Sequence, residues 1–435
     1  MYKKEEENNT NFMEWLHEKV LQWIYKNRFT MKHFIFMAST IALMFCICTP
    51  SFSQSAKYKK ELAKLEHKYN DILLNLHASD KSEKDYLKAN KSMLKLAENG
   101  YNPAMRFLGT YFYNKKDFEQ YENWYVKAAE NGDSIAQFEL GNNYYNGTGL
   151  SKDYSKAVYW FEKAAEQGYA LAQYNLGICY EKGLGVEKNY LKATSWYEKA
   201  AKQRYAFAQY NLGVCYEKGL GVEPDYEKGV FWYEKAAEQG DTLAQYNLGL
   251  CYYKGLGVKL DYSKAAYWFT KAAEQGNALA QYNLGVCYEQ GVGIEQDNEK
   301  AVLWYEKAAE QGDAFAQYNL GVCYEKGVGI EQDNEKAVLW YEKAAEQGDT
   351  LAQYNLGLCY YNGLGVKLDY SKAAYWFTKA AEQGNALAQY NLGLCYYNGL
   401  GVKLDYSKAT FWLKKAAEQG DTDAQHFLNE LNSKK

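Results

Sequence analysis

Residues 244–279 read AQYNLGLCYYKGLGVKLDYSKAAYWFTKAAEQGNAL, and this pattern recurs along most of the chain. The opening motif, AQYNLG or a close variant, returns every 36 residues, beginning at Ala136, Ala172, Ala208, Ala244, Ala280, Ala316, Ala352 and Ala388. A last variant, AQHFLN, begins at Ala424. A fixed period of this length is typical of a solenoid, in which each repeat buries its apolar face against its neighbours.

The first half of the repeat predicts a helix. Ala244, Leu248 and Tyr252 recur every four residues, so they share one stripe of that helix. Gly249 lies beside the stripe, where the missing side chain lets a second helix approach closely. Gly255 then ends the helix, because glycine readily adopts the left-handed conformation found at helix C-termini.

The second half of the repeat predicts another helix. Asp261 is suited to cap its first turn, and Gly276 ends it. Asn277 is then placed to cap the first helix of the next repeat. The apolar stripe of the second helix contains Tyr262, Ala265, Ala266, Phe269, Ala272 and Ala273. Neither helix can bury its stripe alone, so we expect each repeat to depend on its neighbours.

These motifs resemble those of the Sel1-like repeat (SLR) family, a relative of the tetratricopeptide repeat. The matching patterns are A-x-x-x-L-G-x-x-Y, G-x-G-V and D-Y-x-K-A-x-x-W-x-x-K-A-A-E-x-G, and they run from about Ala104 to the C-terminus. The resemblance implies an all-α, right-handed solenoid of antiparallel helix pairs, similar to a tetratricopeptide superhelix. It also implies a non-catalytic adaptor or scaffold that binds other proteins.

The pattern divides the chain into five segments. Residues 1–30 are a polar extension, which is not translated if Met31 is the true start, and residues 31–53 form a leader. Residues 54–103 predict an N-terminal helical cap, residues 104–423 about nine helix pairs, and residues 424–435 a C-terminal capping helix.

The leader contains an apolar run over residues 34–48. Read from Met31, it resembles a signal peptide cleaved after Ser53, which predicts a periplasmic, cell-surface or secreted protein. Read from Met1, residues 34–50 could instead anchor the chain in a membrane with the repeats outside the cytoplasm. The run is short for a membrane span of about 20 residues. A cytosolic protein is the third interpretation.

Two of the nine cysteines, Cys46 and Cys48, lie in the leader. The other seven recur at the 36-residue period, at Cys179, Cys215, Cys251, Cys287, Cys323, Cys359 and Cys395. Equivalent residues on stacked helices lie about 8–10 Å apart, beyond the roughly 7 Å between Cα atoms that a disulfide allows. Zinc would need partner ligands that the pattern lacks. We therefore expect buried, reduced thiols that act as small hydrophobic groups, an arrangement that fits poorly with an oxidising compartment.

Neither the composition nor the motifs of the chain indicate nucleic-acid binding or catalysis. A net charge of −4 argues against a nucleic-acid binder, and the five histidines are scattered. The S-x-x-K match from Ser92 to Lys95 lacks the S-D-N and K-T-G companions of β-lactam enzymes. We expect no catalytic, metal or cofactor site. An exported enzyme or binder acting on cell-wall or β-lactam compounds is the alternative.

The stripe opposite the core is the candidate binding surface. Taking Leu248 as the inward direction, Leu243, Tyr246, Leu250 and Tyr253 point away from the core. Stacked over the repeats, this stripe gives a tyrosine ladder of Tyr174, Tyr210, Tyr246, Tyr282, Tyr318, Tyr354 and Tyr390. It is flanked by Tyr253, Tyr361 and Tyr397, which alternate with Glu181, Glu217, Glu289 and Glu325, and by the rim residues Lys182, Lys218, Lys254 and Lys326.

We expect these tyrosines to line a concave groove in which a monomeric chain binds a protein or extended peptide, because tyrosine is enriched at interfaces. Two alternatives remain open: the tyrosines only pack between first helices, or the chain is a structural spacer. The tryptophans are expected in the core between repeats: Trp124, Trp160, Trp196, Trp232, Trp268, Trp304, Trp340, Trp376 and Trp412.

One repeat departs from the pattern at its second junction. A glycine follows the second helix in the other full repeats, but the equivalent residue here is Arg204. A side chain in a left-handed conformation costs about 1 kcal/mol. The sequence therefore predicts an altered or softer helix junction at this point, unless the turn simply adjusts.

Overall fold

The computed structural model describes residues 63–72 and 83–433, and every regular element in that part of the chain is a helix. The N-terminal extension, the leader and the cysteines Cys46 and Cys48 lie outside the described residues. The helices are α1 (63–72), α2 (Glu83–Glu98), α3 (Asn102–Asn114), α4 (Phe118–Glu130), α5 (Ser134–Asn146), α6 (Tyr154–Glu166), α7 (Ala170–Lys182), α8 (Tyr190–Lys202), α9 (Ala206–Lys218), α10 (Tyr226–Glu238), α11 (Thr242–Lys254), α12 (Tyr262–Glu274), α13 (Ala278–Gln290), α14 (Asn298–Glu310), α15 (Ala314–Lys326), α16 (Asn334–Glu346), α17 (Thr350–Asn362), α18 (Tyr370–Glu382), α19 (Ala386–Asn398), α20 (Tyr406–Glu418) and α21 (Thr422–Ser433).

The chain forms two compact units, one up to Ser92 and a larger one from Met93 onwards. In the larger unit, odd-numbered helices from α3 are the first helices of the repeats, and even-numbered helices from α4 are the second helices. Each helix from α3 to α20 packs against the helix that follows it in sequence. The predicted all-α solenoid of helix pairs is therefore confirmed.

The helices of this repeat begin and end at the capping residues that the sequence predicts. Asp261 accepts a hydrogen bond from the backbone N–H of Lys264, and Asn277 accepts one from Ala280 at 2.8 Å. Gly255 ends α11 in the left-handed conformation, with φ at 68°. Each helix from α3 to α20 has 13 residues, and side-chain caps and left-handed glycines mark many of the ends.

A glycine on most first helices lets an aromatic ring of the second helix pack against the backbone. A Cβ atom placed on Gly249 would lie 2.7 Å from ring carbons of Phe269, closer than real atoms approach. The same pairing joins Gly141 to Phe161, Gly177 to Tyr197, Gly213 to Tyr233, Gly285 to Tyr305, Gly321 to Tyr341 and Gly357 to Phe377. The close helix approach that the sequence predicts at Gly249 is thus a repeated feature.

A buried glutamine links each repeat to the one before it. The side-chain amide of Gln245 donates to the carbonyl of Ala237 at 3.1 Å, across the junction between α10 and α11. Its oxygen accepts from Gln275 of the same repeat at 2.7 Å, and Gln275 also donates to the carbonyl of Gly240. Equivalent buried glutamines are Gln137, Gln173, Gln209, Gln281, Gln317, Gln353 and Gln389. Nothing in the repeat pattern alone predicted this chain of amides.

The altered junction predicted at Arg204 is wrong. Arg204 has φ 64° and donates its backbone N–H to Ala201 at 2.9 Å, as Gly168 does to Ala165 at 3.0 Å in the preceding repeat. The neighbouring helices fix this turn, so the arginine adopts the left-handed conformation instead of changing it.

The seven repeat cysteines are free and buried, as predicted. Burial raises the pKa of the Cys179 thiol to about 12 and that of Cys215 to about 11. The tryptophans of the later repeats are half-buried and pack against the core clusters, including Trp268, Trp304, Trp340, Trp376 and Trp412. Both residue series contribute to the packing between helices.

Candidate partner-binding face

All ten candidate tyrosines lie on first helices and are half-buried. Six of the seven ladder tyrosines pack beside an aromatic ring of their own second helix: the ring centroids of Tyr246 and Phe269 are 6.1 Å apart, and those of Tyr282 and Tyr305 are 6.0 Å apart. The seventh, Tyr390, packs against the cluster that contains Leu413. Tyr282 also contacts Phe315 of the next repeat, at 5.9 Å. The ladder therefore contributes to packing while each ring keeps part of its surface exposed.

An exposed apolar row runs beside the ladder, three residues before each tyrosine. Its members are Leu171, Phe207, Leu243, Leu279, Phe315, Leu351 and Leu387, from seven consecutive repeats. The side chain of Leu279 is 47% exposed and that of Phe315 is 59% exposed. We call the ladder and this row together the first-helix face. Apolar side chains left exposed at the same position in successive repeats are candidates for an interaction site.

The glutamates that flank the ladder have a partner inside the repeat. The hydroxyl of Tyr305 donates to Glu289 at 2.7 Å, and that of Tyr341 donates to Glu325 at 2.6 Å. Tyr197 with Glu181 and Tyr233 with Glu217 form the same pairs. A buried phenol needs an acceptor, so these carboxylates satisfy the core and are not free groups of a groove.

Among the 36-residue repeats, those that lack this glutamate also lack the buried hydroxyl. Where the first helix carries Tyr253, the second helix carries Phe269, and the two rings lie 6.2 Å apart. Tyr361 and Phe377 repeat the arrangement at 6.1 Å. Residues 16 apart therefore vary together among the repeats, a sequence signal that would have identified the pairs.

Carboxylates surround the ladder. Burial is the main cause that raises the pKa of Tyr174 to about 12, and the charges of Glu181 and Asp241 act in the same direction. Burial is also the main cause that raises the pKa of Tyr282, and the carboxylates of Asp313, Glu289 and Asp349 act in the same direction. Carboxylates therefore lie close enough to these two ladder tyrosines to disfavour their ionisation.

The S-x-x-K match forms an ordinary helix contact. Ser92 lies in α2 and donates its hydroxyl to the carbonyl of Lys88 at 3.1 Å. The described residues contain no group of three or more metal-ligating side chains placed to hold an ion. None of the described helices combines the length and the apolar character needed to cross a membrane.

Comparison with known proteins identifies the repeat. The Sel1 repeat model matches nine consecutive segments, 102–133, 134–169, 170–205, 206–241, 242–277, 278–313, 314–349, 350–385 and 386–421. A search of curated protein sequences gives no match.

Two solved structures are similar over most of the chain. One is c5321, a protective antigen of uropathogenic Escherichia coli with an SLR fold: it is 40% identical, with a TM-score of 0.78, over 86% of this chain and 81% of that one. The other is a Sel1 repeat protein of Oxalobacter formigenes, 38% identical with a TM-score of 0.56, over 72% of this chain and 90% of that one. Sel1 repeat proteins are generally protein-interaction scaffolds without catalytic activity. Its nine repeats and their helix pairs show that this chain belongs to the Sel1 repeat family.

Proposed function

We propose that this protein is a non-catalytic scaffold that binds a protein or an extended peptide across the first-helix face. The observation that carries the proposal is the unbroken row of exposed leucine and phenylalanine side chains beside half-buried tyrosines in seven consecutive repeats. This surface offers a ligand apolar contact from the row and hydroxyl groups from the ladder.

The face is also well ordered before a partner arrives. The ladder rings are held against the second helices, and the glycine contacts and glutamine links keep neighbouring helices in place. A rigid surface loses little conformational entropy on binding, so more of the contact energy is available for affinity. A partner could therefore bind along several repeats without a change in the scaffold.

The test is selection from a display library of random 12-residue peptides against the full chain. Enriched peptides are then measured against the triple variant Leu279→Ala, Phe315→Ala and Leu351→Ala. These side chains are about half exposed, so the variant is expected to keep its helical circular dichroism. We expect at least a tenfold loss of affinity.

A matched control is the triple variant Leu303→Ala, Leu339→Ala and Phe411→Ala, whose apolar side chains are also about half exposed but lie on second helices. Affinity for the same peptides should stay within about twofold of the wild type. Equal losses in both variants, or no loss in the first, would contradict the proposal.

A further inference from the structure

An internal ion pair occupies the ladder position in the first repeat. Arg106 stands in AMRFLG where later repeats have the tyrosine of AQYNLG. Its Nε atom lies 3.3 Å from Oδ2 of Asp133, with side-chain exposures of 19% and 11%. Oδ1 of Asp133 accepts the capping hydrogen bond from Ala136 at 2.8 Å. One carboxylate thus caps a helix and binds a guanidinium at the same time.

Three later repeats offer the same carboxylate without a cation. Asp241, Asp313 and Asp349 cap first helices through Oδ1, at 2.7 to 2.8 Å, and are half-buried. Within the described part of the chain, no lysine or arginine forms an ion pair with any of the three. Burial raises the pKa of each carboxyl, which is the response of an acid that lacks a positive partner.

The lysines carried by these first helices lie at the other edge of the face. Lys254 and Lys326 are exposed at the C-terminal ends of their first helices. A 13-residue helix is about 20 Å long, so these ammonium groups are remote from the caps at the N-terminal ends. The edge formed by the caps and the ladder is therefore acidic.

We infer that the partner of the first-helix face is a cationic, extended peptide segment whose arginine or lysine side chains reach the capping aspartates, as Arg106 reaches Asp133. The inference rests on the proposed function and adds the chemistry of the partner. Tyrosine rings beside each cap would also favour a cation above them.

The spacing of the caps sets the spacing of the charges. Asp313 and Asp349 belong to successive repeats, whose first helices are expected to lie about 10 Å apart. An extended chain in the polyproline II conformation advances about 3.1 Å per residue and places residues three positions apart on the same side. Basic residues about three positions apart would therefore meet the two caps, with apolar residues between them on the row.

The test selects peptides from the random 12-residue library against the full chain. The enriched peptides are then measured against the double variant Asp313→Asn and Asp349→Asn. The chain itself shows that asparagine preserves the cap, because Asn277 and Asn385 hold the equivalent positions and accept from Ala280 and Ala388 at 2.8 Å. We expect the wild-type pool to be enriched in arginine or lysine at a spacing of three. The double variant should bind these peptides at least tenfold more weakly.

The reverse substitution is the gain-of-function arm. Asn277→Asp adds a carboxylate at a neutral cap and should tighten binding of the same basic peptides. A pool without basic enrichment, or a double variant that binds as well as the wild type, would overturn the inference. If peptides from a pool without basic enrichment still bind the variant Leu279→Ala, Phe315→Ala and Leu351→Ala more weakly than the wild type, the proposed function stands and only this inference fails. If the triple variant binds every enriched peptide unchanged, both fail.

Discussion

The close contact between Gly285 and Tyr305 makes a sharp prediction about the substitution Gly285→Ala. The added Cβ would lie 2.6 Å from two ring carbons of Tyr305 and 3.3 Å from the carbonyl oxygen of Ala301. Tyr305 is fully buried and its hydroxyl is tied to Glu289, so the ring cannot move aside. The two helices must separate instead.

The expected cost follows from two opposing terms. Overpacking a core by one methyl group costs about 1–3 kcal/mol, and the fixed ring places this site at the upper end. Alanine is better than glycine inside a helix by about 1 kcal/mol. We expect a net loss of roughly 2 kcal/mol in the free energy of unfolding.

The chain offers a matched control in Gly229, an interior glycine of α10. The equivalent residues in neighbouring repeats are Ala193 and Ala265, and a Cβ on Gly229 would lie 3.3 Å from its nearest neighbour, the carbonyl oxygen of Gly213. Gly229→Ala should therefore stabilise the chain by about 0.5–1 kcal/mol.

The assay is urea unfolding of the full chain, followed by circular dichroism at the helical band. Gly285→Ala should lower the urea midpoint and Gly229→Ala should raise it. A shift of the same sign in both variants would refute the packing argument, because the helix-propensity term is common to the two substitutions.

Three further predictions concern strain, ionisation and processing. Arg204→Gly should raise the free energy of unfolding by about 1 kcal/mol in the same urea assay, because glycine has no penalty at φ 64°, and an unchanged midpoint would show that the turn is unstrained. Stability should fall as pH rises above about 8.5, because cysteines of the unfolded chain lose their protons there. Buried thiols such as Cys179 and Cys215 keep theirs, since their pKa values are raised to about 12 and 11. Urea midpoints that stay level from pH 8 to 10.5 would contradict this prediction. Export with cleavage after Ser53 predicts an intact mass that begins at Gln54 in protein from native cells, whereas a mass that includes Cys46 would refute cleavage.

Much of the fold was predictable because it depends on local chemistry. The period of 36 residues indicates stacked helix pairs, and the identities of Asp261, Asn277 and Gly255 mark the helix ends. Gly249 marked a close approach, although only the structure identified Phe269 as the ring that needs it. These features depend on single residues and their immediate neighbours.

The electrostatics of the face were harder to predict, since they depend on contacts between residues distant in sequence. Gln245 and Gln275 are 30 residues apart, and periodicity gives the direction of a side chain but not its partner. Arg106 occupies a ladder position in the one atypical repeat, so its pairing with Asp133 had no repeated pattern to indicate it. The junction at Arg204 was mispredicted because packing on both sides outweighs the strain of a single residue.

The most direct test of binding across the first-helix face is hydroxyl-radical footprinting of the full chain with an enriched peptide bound. We predict protection of Tyr246, Tyr282 and Tyr318, with no change at Tyr267 and Tyr375, which are about half exposed on second helices. Protection of Tyr267 and Tyr375 with unchanged ladder tyrosines would contradict the account and place the partner on the second helices.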